Sequence, residues 1–218
     1  SLWFFFFIYK LQGVMYGAFG SEVKYVPNYP VPDYAAMQML GAFFMLGAGM
    51  MWAARRHLAD VWAAAKHVAQ PPSAVRDRDE ALPYRTAVFG IAAGSIALAL
   101  VWQALGLNFF VGLLVVALFL VTALLLTRFV SEGGLLFIQA PFRPTDIMAV
   151  AVGTGPIGPQ NLTVLAYLER GLSMFDLRGF LLPFLMDIWK MSDSAGLDKR
   201  KLLRAMALAI GVATISSY

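Results

Sequence analysis

The chain has 218 residues, of which 60% are hydrophobic, 14% aromatic and only 14% charged, with a formal charge of +4 and a mean hydropathy of +0.68. A soluble domain carries roughly 25% charged residues, so the composition excludes an ordinary soluble domain and predicts an all-α protein that crosses a membrane several times. There is no cysteine, which removes disulfides, thiolate nucleophiles and cysteine-ligated metals.

Ser1 to about Phe19 is the first expected span, and it starts inside an apolar run, SLWFFFFIY, interrupted by Lys10. Lys10 either faces a bundle interior or sits near an interface. The opening Ser and the short uncharged run Ala205–Tyr218 at the other end read as an internal piece of a longer protein. Such a run falls short of the roughly 20 residues a span needs.

Gly20 to Asp33 holds three prolines and reads as a loop, since proline lacks an N–H and blocks a continuing helix. Tyr34 to Ala54 is the second span. Its glycines and alanines at small-xxx-small spacing allow close helix approach, and its methionines read as pliable packing rather than a metal path. Residues 55–85 carry Arg55, Arg56, Lys66, Arg76, Arg78 and Arg85. Within them, 55–68 is expected to form a separate interfacial helix with Leu58, Val61, Trp62 and Ala65 on its apolar face. His57 and His67 lie ten residues apart, without metal-ligand spacing, and read as surface residues.

Thr86 to Thr127 contains 42 residues without a charge. At about 1.5 Å per residue that is enough for two spans, so 86–104 and 109–127 form a hairpin turning at Gly106 and Asn108. Residues 128–190 differ, because short apolar pieces alternate with charges, glycines and prolines. Such segments read as re-entrant or broken helices, expected at about 135–190. A second basic loop, 190–204, leads into the final span at 202–218.

The bias of Lys and Arg places loops 55–85 and 190–204 on the cytoplasmic side of a bacterial inner membrane. Residues 128–190 then begin and end on that side, so they cross an even number of times or dip in and return.

The chemistry concentrates in this broken stretch. Glu132 follows the long uncharged run, and a carboxylate partly withdrawn from water suits proton exchange. Arg128, one helical turn earlier, is its expected partner, which leaves an interfacial ion pair as the plainer alternative. Prolines 141 and 144 bracket Arg143 and hold it for an anionic group. The alternative is a capped turn, with Arg143 bonding carbonyls or Asp146 and Thr145-Asp146 starting a helix at Ile147. Gly133, Gly134, Gly153, Thr154, Gly155, Gln160 and Asn161 free backbone groups that could line a substrate path. Nothing matches the spacing of a phosphate-binding loop, a zinc protease or a serine hydrolase, so neither an enzyme nor a cofactor or metal is expected. The expected partners are the lipid bilayer, an unidentified small solute and other membrane subunits or copies, not nucleic acid.

Four blocks carry a family resemblance: SLWFFFFIYKLQ, WAARRHL, TRFVSEGGLLFIQAPFRPTDIM and RKLLRAMALAI. The chain resembles, over essentially its whole length, an uncharacterised bacterial family of multi-spanning membrane proteins that is distantly similar to oligopeptide transporters. That resemblance implies a proton-coupled importer of peptides or similar solutes, built from repeats with discontinuous helices, and brings no catalytic residues. The alternative is an accessory subunit of a larger, energy-transducing membrane complex, with the aromatic-rich spans packed against partners.

Overall fold

In the computed structural model, the residues described are 2–20, 24–25, 31–66, 81–133, 142–171 and 181–217. Of these, 87% are helical and none forms a strand. The helices are α1 (Leu2–Ala18), α2 (Asp33–Ala65), α3 (Tyr84–Ala104), α4 (Phe109–Gly133), α5 (Pro144–Val152), α6 (Thr154–Ile157), α7 (Pro159–Gly171), α8 (Leu181–Ser194) and α9 (Lys199–Ser216). Among them α2, α3 and α4 are long and apolar enough to cross a membrane. The protein is therefore all-α, with helices suited to a bilayer. The expected spans at 1–19 and 202–218 correspond to α1, of 17 residues, and to α9, whose first six residues include four basic ones.

The chain divides into two compact units, one of Ser1–Met50 with Ala140–Phe142 and the other of Met51–Gln139 with Arg143–Tyr218. In the first, α1 and the start of α2 are joined through Asp33 N–H, which donates 2.9 Å to the Lys24 carbonyl beside an isolated Tyr25–Pro32 bridge. Tyr16 and Tyr34 stack at 4.7 Å, and Phe43 meets Phe142 edge-on at 5.1 Å. Lys10 is exposed, its ammonium 5.3 Å from the Phe6 ring centroid.

One expectation is corrected here. The separate interfacial helix at 55–68 does not form, because α2 runs on without a break through Arg55 and Arg56 to Ala65. The reason is local: Trp52–Ala65 contains neither glycine nor proline, and its alanines, arginines and leucine favour helix. Ala65, assigned to a lipid-facing side, is instead buried. Residues 67 and 68 lie outside the described part.

In the second unit α4 is the central helix, with nine buried residues from Gly112 to Val130. Apolar helices gain little from leaving lipid for one another, so close van der Waals fit holds them. Ala99 on α3 is fully buried, and a Cβ at Gly112 would lie 3.7 Å from its Cα. These small residues let α3 and α4 approach. Trp102, Leu107, Val115, Val116, Met148, Ile157 and Leu165 form one buried cluster, which ties α3 and α4 to α5, α6 and α7.

Two turns share one construction. At α3–α4, Gly106 takes φ +97°, its N–H reaches the Gln103 carbonyl, and Leu107 N–H reaches the Trp102 carbonyl. Asn108 then caps α4 by accepting from Phe110 N–H at 3.0 Å. At α8–α9, Gly196 takes φ +65°, its N–H reaches Asp193, Leu197 N–H reaches Ser192, and Asp198 caps α9 through Arg200 N–H at 2.9 Å. Both follow the glycine-terminated helix end with an apolar residue next in line, written as Gly-Leu-Asx. They differ in packing: Leu107 is 2% exposed and Leu197 58%.

Candidate functional site

Residues 144–171 form a helical path broken twice. Gly153 (φ 83°, ψ 158°) separates α5 from α6, and Gly158 (φ 79°, ψ 154°) separates α6 from α7. This backbone region is essentially confined to glycine, and Pro159 follows the second break without an N–H to offer. The two breaks leave α6 only four residues long.

Past its second break, at the start of α7, this path meets the α3–α4 turn. Gln160 Nε2 donates 3.1 Å to the Gly106 carbonyl, and Asn108 N–H donates 2.9 Å to Asn161 Oδ1. Asn161 Nδ2 also donates 2.6 Å to the Ile157 carbonyl, holding the start of α7. Beyond α7, the path returns to the other end of α4. There Lys190 Nζ on α8 donates 3.1 Å to the Ser131 carbonyl. Between its exit at Ser131 and its return at Lys190, the chain therefore reaches the N-terminal end of α4 and comes back.

The charged candidates form two local pairs. Arg128 and Glu132 make an i,i+4 ion pair in the last turns of α4, with side chains 55% and 59% exposed. Arg143 caps α5 in an extended conformation, as expected before a proline. Its Nε and Nη2 donate to Asp146 at 2.8 and 3.1 Å, while its backbone N–H donates to the same carboxylate at 3.0 Å. The Arg143 side chain is 14% exposed and its planar fork is engaged two-pronged, which is the strong form of this contact. The helix starts at Pro144, three residues before the expected Ile147, because Asp146 reaches back rather than forward.

Of the expected lining residues, Gln160 and Asn161 are joined to the α3–α4 turn and Gly153 forms the first break. Thr154 and Gly155 are exposed in α6, Gly133 is the exposed last residue of α4, and Gly134 lies outside the described residues. A cleft of about 520 Å³ runs along α7, lined by Leu162, Thr163, Ala166 and Tyr167. Its walls offer apolar surface and two hydroxyls, although Thr163 Oγ1 already donates 2.9 Å to the Pro159 carbonyl. Among the described residues no cluster of three His, Asp or Glu side chains is placed to hold a metal.

Sequence reasoning missed three contributors. Asn108 was legible only as a turn marker, yet its N–H meets Asn161. Lys190 was legible only as the start of a basic loop, and Ser131 gave no signal, because their contact spans 59 residues.

No curated protein and no solved structure matches this chain. One family model does, a family of unknown function (DUF6785), and it covers residues 1–218. The chain, matched from end to end, belongs to that family.

Proposed function

We propose that this chain is part of a secondary transporter, in which the broken path α5–α6–α7 lines or gates the route of a small solute. One observation carries the reading. The path leaves one end of α4, reaches the α3–α4 turn at Asn108 and Asn161, and rejoins its starting end at Lys190 and Ser131. Irregular backbone is tolerated at membrane depth where protein covers it or where it borders water, and transporters place substrate sites at such discontinuous helices. The recurrence of the Gly-Leu-Asx turn at α3–α4 and α8–α9 agrees with construction from repeats.

On this reading the solute is a peptide or another small anionic molecule, similar to the cargo of oligopeptide transporters, and protons drive its uptake. The basic stretches 55–85 and 190–204 lie on the cytoplasmic side of a bacterial inner membrane. Glu132 exchanges the proton, and Arg143 turns from Asp146 to an anionic group. No chemical step is involved.

The test uses full-length protein in liposomes loaded with a pH-sensitive dye. A pool of dipeptides and tripeptides added outside should acidify the interior only when protein is present. The absence of both acidification and peptide accumulation would contradict the reading.

A second reading, an accessory subunit, is favoured by α1, which has no buried residue and exposes every side chain from Leu2 to Phe7. Purification from native membranes decides it: a stoichiometric complex supports a subunit, and a solitary protein opposes it.

A further inference from the structure

Past its apolar run, α2 carries a stripe in which indole and cation alternate. Trp52, Arg55, Ala59, Trp62 and Lys66 follow at steps of three and four, so they share one helix face. All five are exposed; between Trp52 and Ala59 only Ala54 is half-buried, and from Asp60 onward Asp60, Val61, Ala63 and Ala64 are half-buried and Ala65 buried, while Trp62 and Lys66 stay exposed. In this last part of α2 the stripe is the face left uncovered. The Arg55 guanidinium lies 4.4 Å from the Trp52 ring centroid and donates 2.7 Å to the Trp52 carbonyl. The Lys66 ammonium lies 4.7 Å from the Trp62 ring centroid. Among the described residues neither cation has a carboxylate partner. Asp60, the one acid on this stretch, is half-buried on the far side of the helix from the stripe.

We infer that this face of α2 docks anionic phospholipid headgroups. Three arguments select that occupant. The stripe begins where the uncharged run Tyr34–Ala54 of a candidate span ends, so the nearest anions are those of the bilayer surface. Indole has an apolar body and one N–H donor, which suits the boundary between acyl chains and headgroups. Each cation, steadied over a ring, keeps donors for a phosphate, and basic residues beside a span attract anionic lipid. Arg85, 6.0 Å from the Phe89 ring centroid at the start of α3, repeats the pairing. The inference does not depend on transport.

The probe is phosphatidylglycerol, with phosphatidylcholine as the neutral comparison, titrated into detergent-purified full-length protein and read by native mass spectrometry. The unaltered protein should retain phosphatidylglycerol in preference. Arg55→Gln with Lys66→Gln should lower that retention about fivefold per charge removed and leave phosphatidylcholine unchanged. Arg55→Lys should keep the preference, as should Lys199→Gln with Lys201→Gln on α9. If the double variant does not purify, Arg55→Gln against Arg55→Lys gives the same comparison. Equal retention of both lipids by the unaltered protein would overturn the inference, and so would undiminished phosphatidylglycerol retention in the Gln variants. Capture of a polypeptide, rather than lipid, by a photo-cross-linker at position 62 in native membranes would also overturn it.

Discussion

The backbone N–H of Asn108 donates to Oδ1 of Asn161, 2.9 Å away and 53 residues later in the chain. Asn161 thus closes the N-terminal end of α4 and, through Nδ2 on the Ile157 carbonyl, the start of α7. Asn161→Leu removes both contacts and should cost about 1–2 kcal/mol, read as a lower unfolding temperature in detergent. Asn161→Asp keeps the acceptor and loses the donor, so its loss should be smaller. Equal losses would show that the Asn108 contact adds nothing.

Gly158 and Gly155 form a matched pair of tests. Gly158 has φ 79° and ψ 154°, whereas Gly155 has no positive φ and open space at its Cβ position. Gly158→Ala should destabilise by about 1–3 kcal/mol, and Gly155→Ala should be nearly neutral. Thermal unfolding of the two variants side by side gives the comparison.

Gly112 tests the fit of α3 against α4. A Cβ there would lie 3.4 Å from Leu107 Cδ2 and 3.7 Å from Trp102 Cε3, which is ordinary contact. Gly112→Ala should be tolerated, whereas Gly112→Leu should cost about 1–3 kcal/mol by overpacking. Parallel unfolding curves test this, and a harmless Leu would mean the helices are not in close contact.

Arg143 and Asp146 should couple in a double-mutant cycle. A lysine cannot reproduce the two-pronged contact, so Arg143→Lys should lose most of what Arg143→Gln loses. A coupling on the order of 1 kcal/mol between Arg143→Gln and Asp146→Asn is expected, and a coupling of zero would mean that the contact contributes nothing.

Glu132 separates the transport reading from a helix-end ion pair. The pair with Arg128 is exposed on both sides, so Glu132→Gln should change stability by no more than about 0.5 kcal/mol. In liposomes the same variant should abolish proton movement with peptide. Coupling that persists unchanged would remove Glu132 from the mechanism.

Much of the fold was legible because its signals are local. The uncharged run 86–127 and the Gly106–Asn108 turn set the α3–α4 hairpin, and the glycines and prolines of 153–159 set the breaks around α6. The extent of α2 was misread because positive charge at Arg55-Arg56 suggested an end, whereas nothing in the backbone chemistry stops the helix there. At the candidate site, the capped turn in which Arg143 bonds Asp146 was legible as one of two alternatives, because the two residues lie three apart beside a proline. Gln160 and Asn161 were legible as candidates to line a path, yet the turn they hold lies 54 and 53 residues away. Composition carries no record of such distant contacts.

The return of the broken path to its starting end is the claim on which the functional reading stands. The chain has no cysteine, so cysteine pairs can be introduced into full-length protein freed of any others. In native membranes, Asn108→Cys with Asn161→Cys and Ser131→Cys with Lys190→Cys should each be joined by a short bifunctional thiol reagent. In samples not treated with the cross-linker, a membrane-impermeant thiol label should reach the first pair from one side and the second pair from the other. Labelling of positions 131 and 190 from opposite sides would contradict the return.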